Sequence, residues 1–302
     1  MKMGKWRNIY RNLLPGILML LAVSGFAQVD KLNRAKQLLD AKDADHAIPA
    51  IDSVVKHPDT KNDPMAWTVR AFIYFEKYKR SERLKLNSSL RDTVVASLKK
   101  SMKLKPDEEI IGNNKKLITT IASGYYNLAK TLLQDSLDDA RSLKAYTKFK
   151  EVFLLGDPTA NMVSKDIEYN LAVGSIYSDI FINDNTNLKS QNVAKVALLK
   201  VLDLQPDNAA ANINLGLMYY NQAVNLSKSM GYDTDISQID IVQENIVKLA
   251  KQAEQFILKV YKTDPKNTKA VEALYYIYRM LLETKKSEEF KLKCGELGIK
   301  VE

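Results

Sequence analysis

The chain has 302 residues, of which only 11 are Gly, 2 His and 1 Cys, and its formal net charge is +9. Glycine is well below its usual share of roughly 7 %, which argues against doubly wound α/β enzymes, whose βα turns and phosphate loops need it. The lone Cys294 excludes an internal disulfide framework and a cysteine-rich zinc site, and His46 and His57 leave little for metal or triad chemistry based on histidine.

In chain order, Lys2, Lys5, Arg7 and Arg11 come first, followed by an apolar run from Leu13 to Phe26. Gly25-Phe26-Ala27 then provides a small-residue exit before charge resumes at Asp30. This pattern predicts a secretory signal over residues 1–27, cleaved after Ala27, with an uncleaved anchor as the alternative. The run of 14 residues contains Pro15 and Gly16 and is shorter than the roughly 20 residues a spanning helix needs. No cysteine lies near the exit, which excludes a lipid-anchored start. Setting aside the four leader cations leaves 41 basic against 36 acidic residues, a net +5. That mild excess gives little reason to expect a polyanionic partner, and export further disfavours nucleic acid.

From residue 28 onward the pattern is helical. Asn170, Val173, Gly174 and Tyr177 share one helical face, as do Asn212, Leu215, Gly216 and Tyr219. Strict period-two alternation with turn dipeptides is absent, so no β-sheet domain is expected. Pro58, Pro106, Pro158, Pro206 and Pro265 are spaced by 48, 52, 48 and 59 residues, in settings such as KLKPDEE, LLGDPTA, LDLQPDN and YKTDPKN. Proline stops a helix, and Asp or Asn beside it caps the next one. A recurring unit of this kind predicts internal repeats.

These residues resemble the tetratricopeptide repeat family, whose unit of about 34 residues holds two antiparallel helices. First-helix matches include Trp67, Ala71 and Tyr74; Ile121, Ala122 and Tyr125; Gly174 and Tyr177; Gly216 and Tyr219; and Leu274 with Tyr278. Second-helix matches include Ala47, Ile51 and Val54; Val94 and Leu98; Ala194 and Leu198; and Ala253 and Ile257. The resemblance implies an all-α, right-handed superhelix (α-solenoid) of five to six stacked antiparallel helix pairs over residues 28–302. The units are roughly 28–61, 64–108, 115–160, 167–208, 209–266 and 268–302. Most units run long, and the excess falls at 80–92, 183–191 and 227–243, either as longer helices or as loops. Arg70 stands where an apolar residue is expected, and the polar outer face around Ser287–Leu297 suits a capping helix.

Sites are few. No phosphate-loop, zincin or nucleophile-elbow motif occurs, and no cofactor, metal or catalytic residue is expected. Asp233, Asp235, Ser237 and Glu244 fit part of a calcium loop, but Gln238 occupies the position that needs glycine. A solvated acidic loop capping a helix from Ile241 fits better. The basic clusters at Lys77–Lys85 and Lys99–Lys105 read as solvated helix faces. By resemblance, the first helices line a concave groove that contacts peptides. The inward positions are Phe72, Phe75, Tyr126, Leu171, Ser175, Leu217, Tyr220, Tyr276 and Arg279, with Lys116 and Lys269 at the edges. The competing reading is that these aromatics only pack between repeats.

The expected function is therefore a non-catalytic protein–protein interaction scaffold or adaptor in the periplasm or cell envelope. A protein or peptide partner would dock in the groove, and peripheral membrane association is left open. The alternative is a glycan-binding uptake accessory of the outer membrane, because starch-binding lipoproteins there use the same repeat. This chain lacks their lipid-attachment cysteine and large insertions. An enzyme would need a carboxylate pair such as Asp233 with Glu244.

Overall fold

Residues 29–83, 85, 87–231 and 235–302 are described by the computed structural model. The predicted signal, residues 1–27, and Asp233 of the calcium-loop reading lie outside them. The described residues form helices and no strand. Helix α1 covers residues 29–40, followed by α2 (Ala44–Val54), α3 (Pro64–Ser81), α4 (Ser89–Lys103), α5 (Glu108–Gln134) and α6 (Asp139–Gly156). Then come α7 (Val163–Asn183), α8 (Leu188–Leu204), α9 (Ala209–Ser229), α10 (Ile236–Thr263), α11 (Thr268–Met280) and α12 (Thr284–Glu296). None of these helices is long and apolar enough to cross a membrane.

Local chemistry explains where the helices start. Asp63 accepts from the Met65 amide at 2.8 Å, with Pro64 as the first helical residue of α3. Asn187, Asn208 and Asn267 accept from Ser190, Ala211 and Ala270 at 3.0, 3.0 and 3.1 Å. Each such cap is worth about 1 kcal/mol. The five recurrent prolines all fall between helices, after α2, α4, α6, α8 and α10. Of the three stretches of repeat excess, 227–243 is taken up largely by the end of α9 and the start of the 28-residue α10, whereas 80–92 and 183–191 hold the breaks between α3 and α4 and between α7 and α8. Helix α10 begins at Ile236 rather than at Ile241, so Glu244 sits on a helix and not in a loop. The apolar period of Ile246, Ala250, Ala253 and Ile257 extends backward and recruits the preceding residues into the helix.

The chain divides into two compact units, one spanning residues up to Thr131 with Ala140–Ala160, the other Leu132–Asp139 with Asn161–Glu302. In the first unit, α1, α2 and α3 share a core that includes Ala35, Ile51, Val54, Val69 and Ile73. At the start of α3 the buried contacts are polar. Thr68 donates to Asn114 at 3.0 Å, Asn114 donates to Ser101 at 2.9 Å, and Ser101 donates to the Pro64 carbonyl at 3.0 Å. A fully paired network of this kind ties α3, α4 and α5 at fixed register. Arg70 is likewise satisfied. It donates to Asp52 on α2 and to Ser97 on α4, both at 2.7 Å, and lies 4.5 Å from the Tyr74 ring centre. The residue that broke the apolar pattern is therefore a polar bridge across three helices.

In the second unit, α7 pairs with α8, α9 with α10, and α11 with α12. Gly174 and Gly216 mark the closest approaches: a Cβ there would lie 2.5 Å from Leu198 and 2.5 Å from Ile257 respectively. The Tyr177 hydroxyl donates to the Leu137 carbonyl at 2.6 Å and lies 3.2 Å from Asp139, and burial pushes its pKa up to about 12. Helix α12 packs through Ser287, Phe290 and Cys294 and leaves Leu292 and all its charged residues but Lys293 exposed. Burial of Cys294 raises its thiol pKa, consistent with a small apolar residue in the last helix.

Candidate functional site

In the second unit the first helix of each pair contributes to one wall. Packing joins α7 to α9 and α9 to α11. Asn214 on α9 donates to Ser175 on α7 at 2.8 Å, which fixes the two helices side by side. Ser175 lies one turn beyond Leu171, and both are half-buried. On α9, Leu217 and Tyr220 are half-buried against a core of Ile213, Val271, Leu274 and Ile277, and Tyr276 joins them from α11. The Tyr276 ring meets Tyr275 edge-on at 4.9 Å. Burial raises the Tyr220 pKa, with Tyr276 adding to the rise and the Arg279 charge opposing it. Leu217, Tyr220, Tyr276 and Arg279 therefore come together at the α9–α11 level, with Leu171 and Ser175 on the adjoining α7.

The other three predicted positions belong to the first unit. Phe72 is half-buried on α3. Phe75 stacks on Tyr78 at 6.0 Å and carries the Lys79 ammonium 5.0 Å from its ring centre. Tyr126 is engaged in packing: its ring lies 5.0 Å from Phe149 and 6.3 Å from Tyr146, inside the α5–α6 pair. The edge residues Lys116 and Lys269 are exposed. Two participants were missed from sequence. Asn214 lies in the same helical register as other half-buried polar residues and carries no distinctive pattern. Tyr275 is more telling. It stands eight residues after the cap Asn267, as Gly216 stands eight after the cap Asn208. A ring therefore replaces the small residue that lets α10 close onto α9.

The first unit also holds an open cleft of about 490 Å³ between α4 and α6, floored by Tyr125 and Leu128 of α5. Arg91, Lys99, Arg141, Lys144 and Lys148 line it against Asp92 and Glu151. Lys148 donates to Glu151 at 2.8 Å and Lys99 pairs with the same carboxylate, so part of this basic cluster is a cross-helix ion pair. These two lysines hold the Glu151 pKa down at about 2. Glu82, in the α3–α4 connection, is also held at about 2, by the Ser88 hydroxyl first and then by Lys85. In the unfolded chain both return to about 4.5. The folded state binds fewer protons, so their contribution is complete above about 4.5 and is lost as pH falls toward about 2. Thermal unfolding midpoints should fall across that window, and Glu82→Gln with Glu151→Gln should flatten the fall. An equally steep decline in the double variant would assign acid sensitivity to other carboxylates. Among the described residues, no cluster of three or more His, Cys, Asp or Glu is placed to hold a metal ion.

No family model matches the chain, and no curated protein matches it. Among solved structures, it is similar to PilW, described as a widely conserved type IV pilus biogenesis factor. The identity is 16 %, the TM-score 0.35, and the match covers 89 % of this chain and 92 % of that one. The fold assignment rests on the helix pairing itself.

Proposed function

We propose that this chain is a tetratricopeptide-like interaction scaffold, exported by its predicted signal, that docks a peptide or a helix of a partner protein. The observation that carries this reading is the wall of first helices in the second unit. Leu217, Tyr220 and Tyr276 are half-buried against a shared core of α9 and α11 residues. Aromatics packed in this way provide large contact area at little entropic cost. The reading is non-catalytic. The glycan alternative requires flat ring faces open to sugars, whereas Tyr219 stacks on Phe256 at 5.8 Å and Tyr276 meets Tyr275.

The test is cross-linking of a tagged chain in the envelope, with identification of what is captured. Tyr220→Ala should keep helical content and weaken the captured complex roughly thirtyfold, the equivalent of about 2 kcal/mol for a central aromatic. Leu188→Ala, on the exposed start of α8, should leave it unchanged. Equal loss in both variants, or saturable oligosaccharide binding without protein capture, would reject the scaffold reading.

A further inference from the structure

The segment that follows α12 lies along α11. Gly298 takes φ +72°, a left-handed conformation that glycine adopts without steric cost. The Ile299 amide donates to the Cys294 carbonyl at 2.8 Å, and the Gly298 amide to the Gly295 carbonyl at 3.1 Å. This pair of bonds ends α12 and reverses the chain. The Glu302 carbonyl accepts from the Tyr275 hydroxyl and the Arg279 guanidinium of α11. Residues 298–302 thus reach back to α11.

Their side chains alternate. Leu297, Ile299 and Val301 are half-buried against the α9–α12 core, whereas Gly298, Lys300 and Glu302 are exposed. That period of two is how an extended peptide seats on an apolar surface. Beyond the turn at Gly298, two aliphatic side chains and one accepting carbonyl hold the segment. Tyr275, standing in the register of Gly216, supplies one of the two donors, and Arg279, one turn on, supplies the other.

We propose that this face of α11 is a peptide-docking surface which the chain fills with its own residues 298–302. The partner is an extended protein segment with aliphatic residues at two alternate positions, and it binds by displacing them. The proposal deepens the scaffold reading, on which it rests, by naming the chemistry of the segment that docks. An occupant tethered this closely competes at an effective concentration on the order of mM. The intact chain is then self-capped and open only to partners that bind more tightly.

The probe is a fluorescein-labelled peptide, LGIKVE, corresponding to residues 297–302. Two opened chains are compared with the intact one: a deletion of 298–302, and full-length chain carrying Ile299→Asp and Val301→Asp. Fluorescence anisotropy should show saturable binding to the opened chains and binding at least tenfold weaker to the intact chain. A probe with aspartate at both aliphatic positions should not bind. If only one opened chain keeps its helical circular dichroism and cooperative melt, that chain decides. The proposal is overturned if a folded opened chain ignores the probe, or if the intact chain binds it equally well. Loss of fold in both opened chains would also overturn it, because the segment would then be core and not a displaceable occupant. Capture of a partner through Tyr220 is read separately, so a negative here leaves the scaffold test standing.

Discussion

Replacing Gly216 with valine should destabilise the second unit by about 2–3 kcal/mol, the upper part of the usual range for overpacking a core. A Cβ at Gly216 would lie 2.5 Å from Ile257 Cδ1, 2.6 Å from its Cγ1 and 3.3 Å from the Ala253 carbonyl. Ile257 is fully buried and β-branched, so χ1, which sets the position of Cγ1, is restricted. The Ala253 oxygen belongs to the α10 backbone and moves only with the helix. Valine regains about 0.5 kcal/mol of helix preference over glycine, too little to offset the clash. Helix α10 must therefore back away from α9, disturbing Leu217 next to the substitution and Tyr220 one turn on. Urea unfolding followed by far-ultraviolet circular dichroism measures the loss. A change below about 0.5 kcal/mol, the scatter expected of surface substitutions, would mean that α10 yields freely and that the close approach is not required.

Phe290→Ala should cost more, about 3–5 kcal/mol, because it removes a buried aromatic ring and leaves a cavity. Phe290 is 5 % exposed, and its ring lies 5.0 Å from Tyr261 and 5.4 Å from Tyr278. It joins α12 to both α10 and α11, and few other side chains of α12 are buried. In a stack of helix pairs each pair depends mainly on its neighbours. The loss should fall on α11 and α12, read as faster amide hydrogen exchange there with α7 and α8 unchanged. Uniform acceleration throughout the second unit would show instead that it opens as a single block.

Features that depend on near neighbours in the chain were legible from sequence. The caps Asn208 and Asn267, the prolines between pairs, and the glycines at positions 174 and 216 all follow from one or two turns of helix. It was the resemblance to the tetratricopeptide repeat that pointed to Leu217, Tyr220, Tyr276 and Arg279 as inward positions on first helices. It did not reveal that Tyr126 turns into the α5–α6 aromatic packing, because Tyr146 and Phe149 are the deciding partners and lie on another helix. Arg70 looked like a defect until Asp52 and Ser97 were placed on either side of it.

By itself, the sequence determined the all-helical class and the proline breaks that separate successive pairs of helices. These are local consequences of apolar period, capping and proline. Only the tertiary structure decided which aromatics remain at the wall of first helices and which are consumed by packing. It alone placed residues 298–302 on α11, where Tyr275 and Arg279 receive them. A side chain's direction on a helix is periodic and readable, but what it meets is set by helices distant in sequence, and burial depends on that meeting.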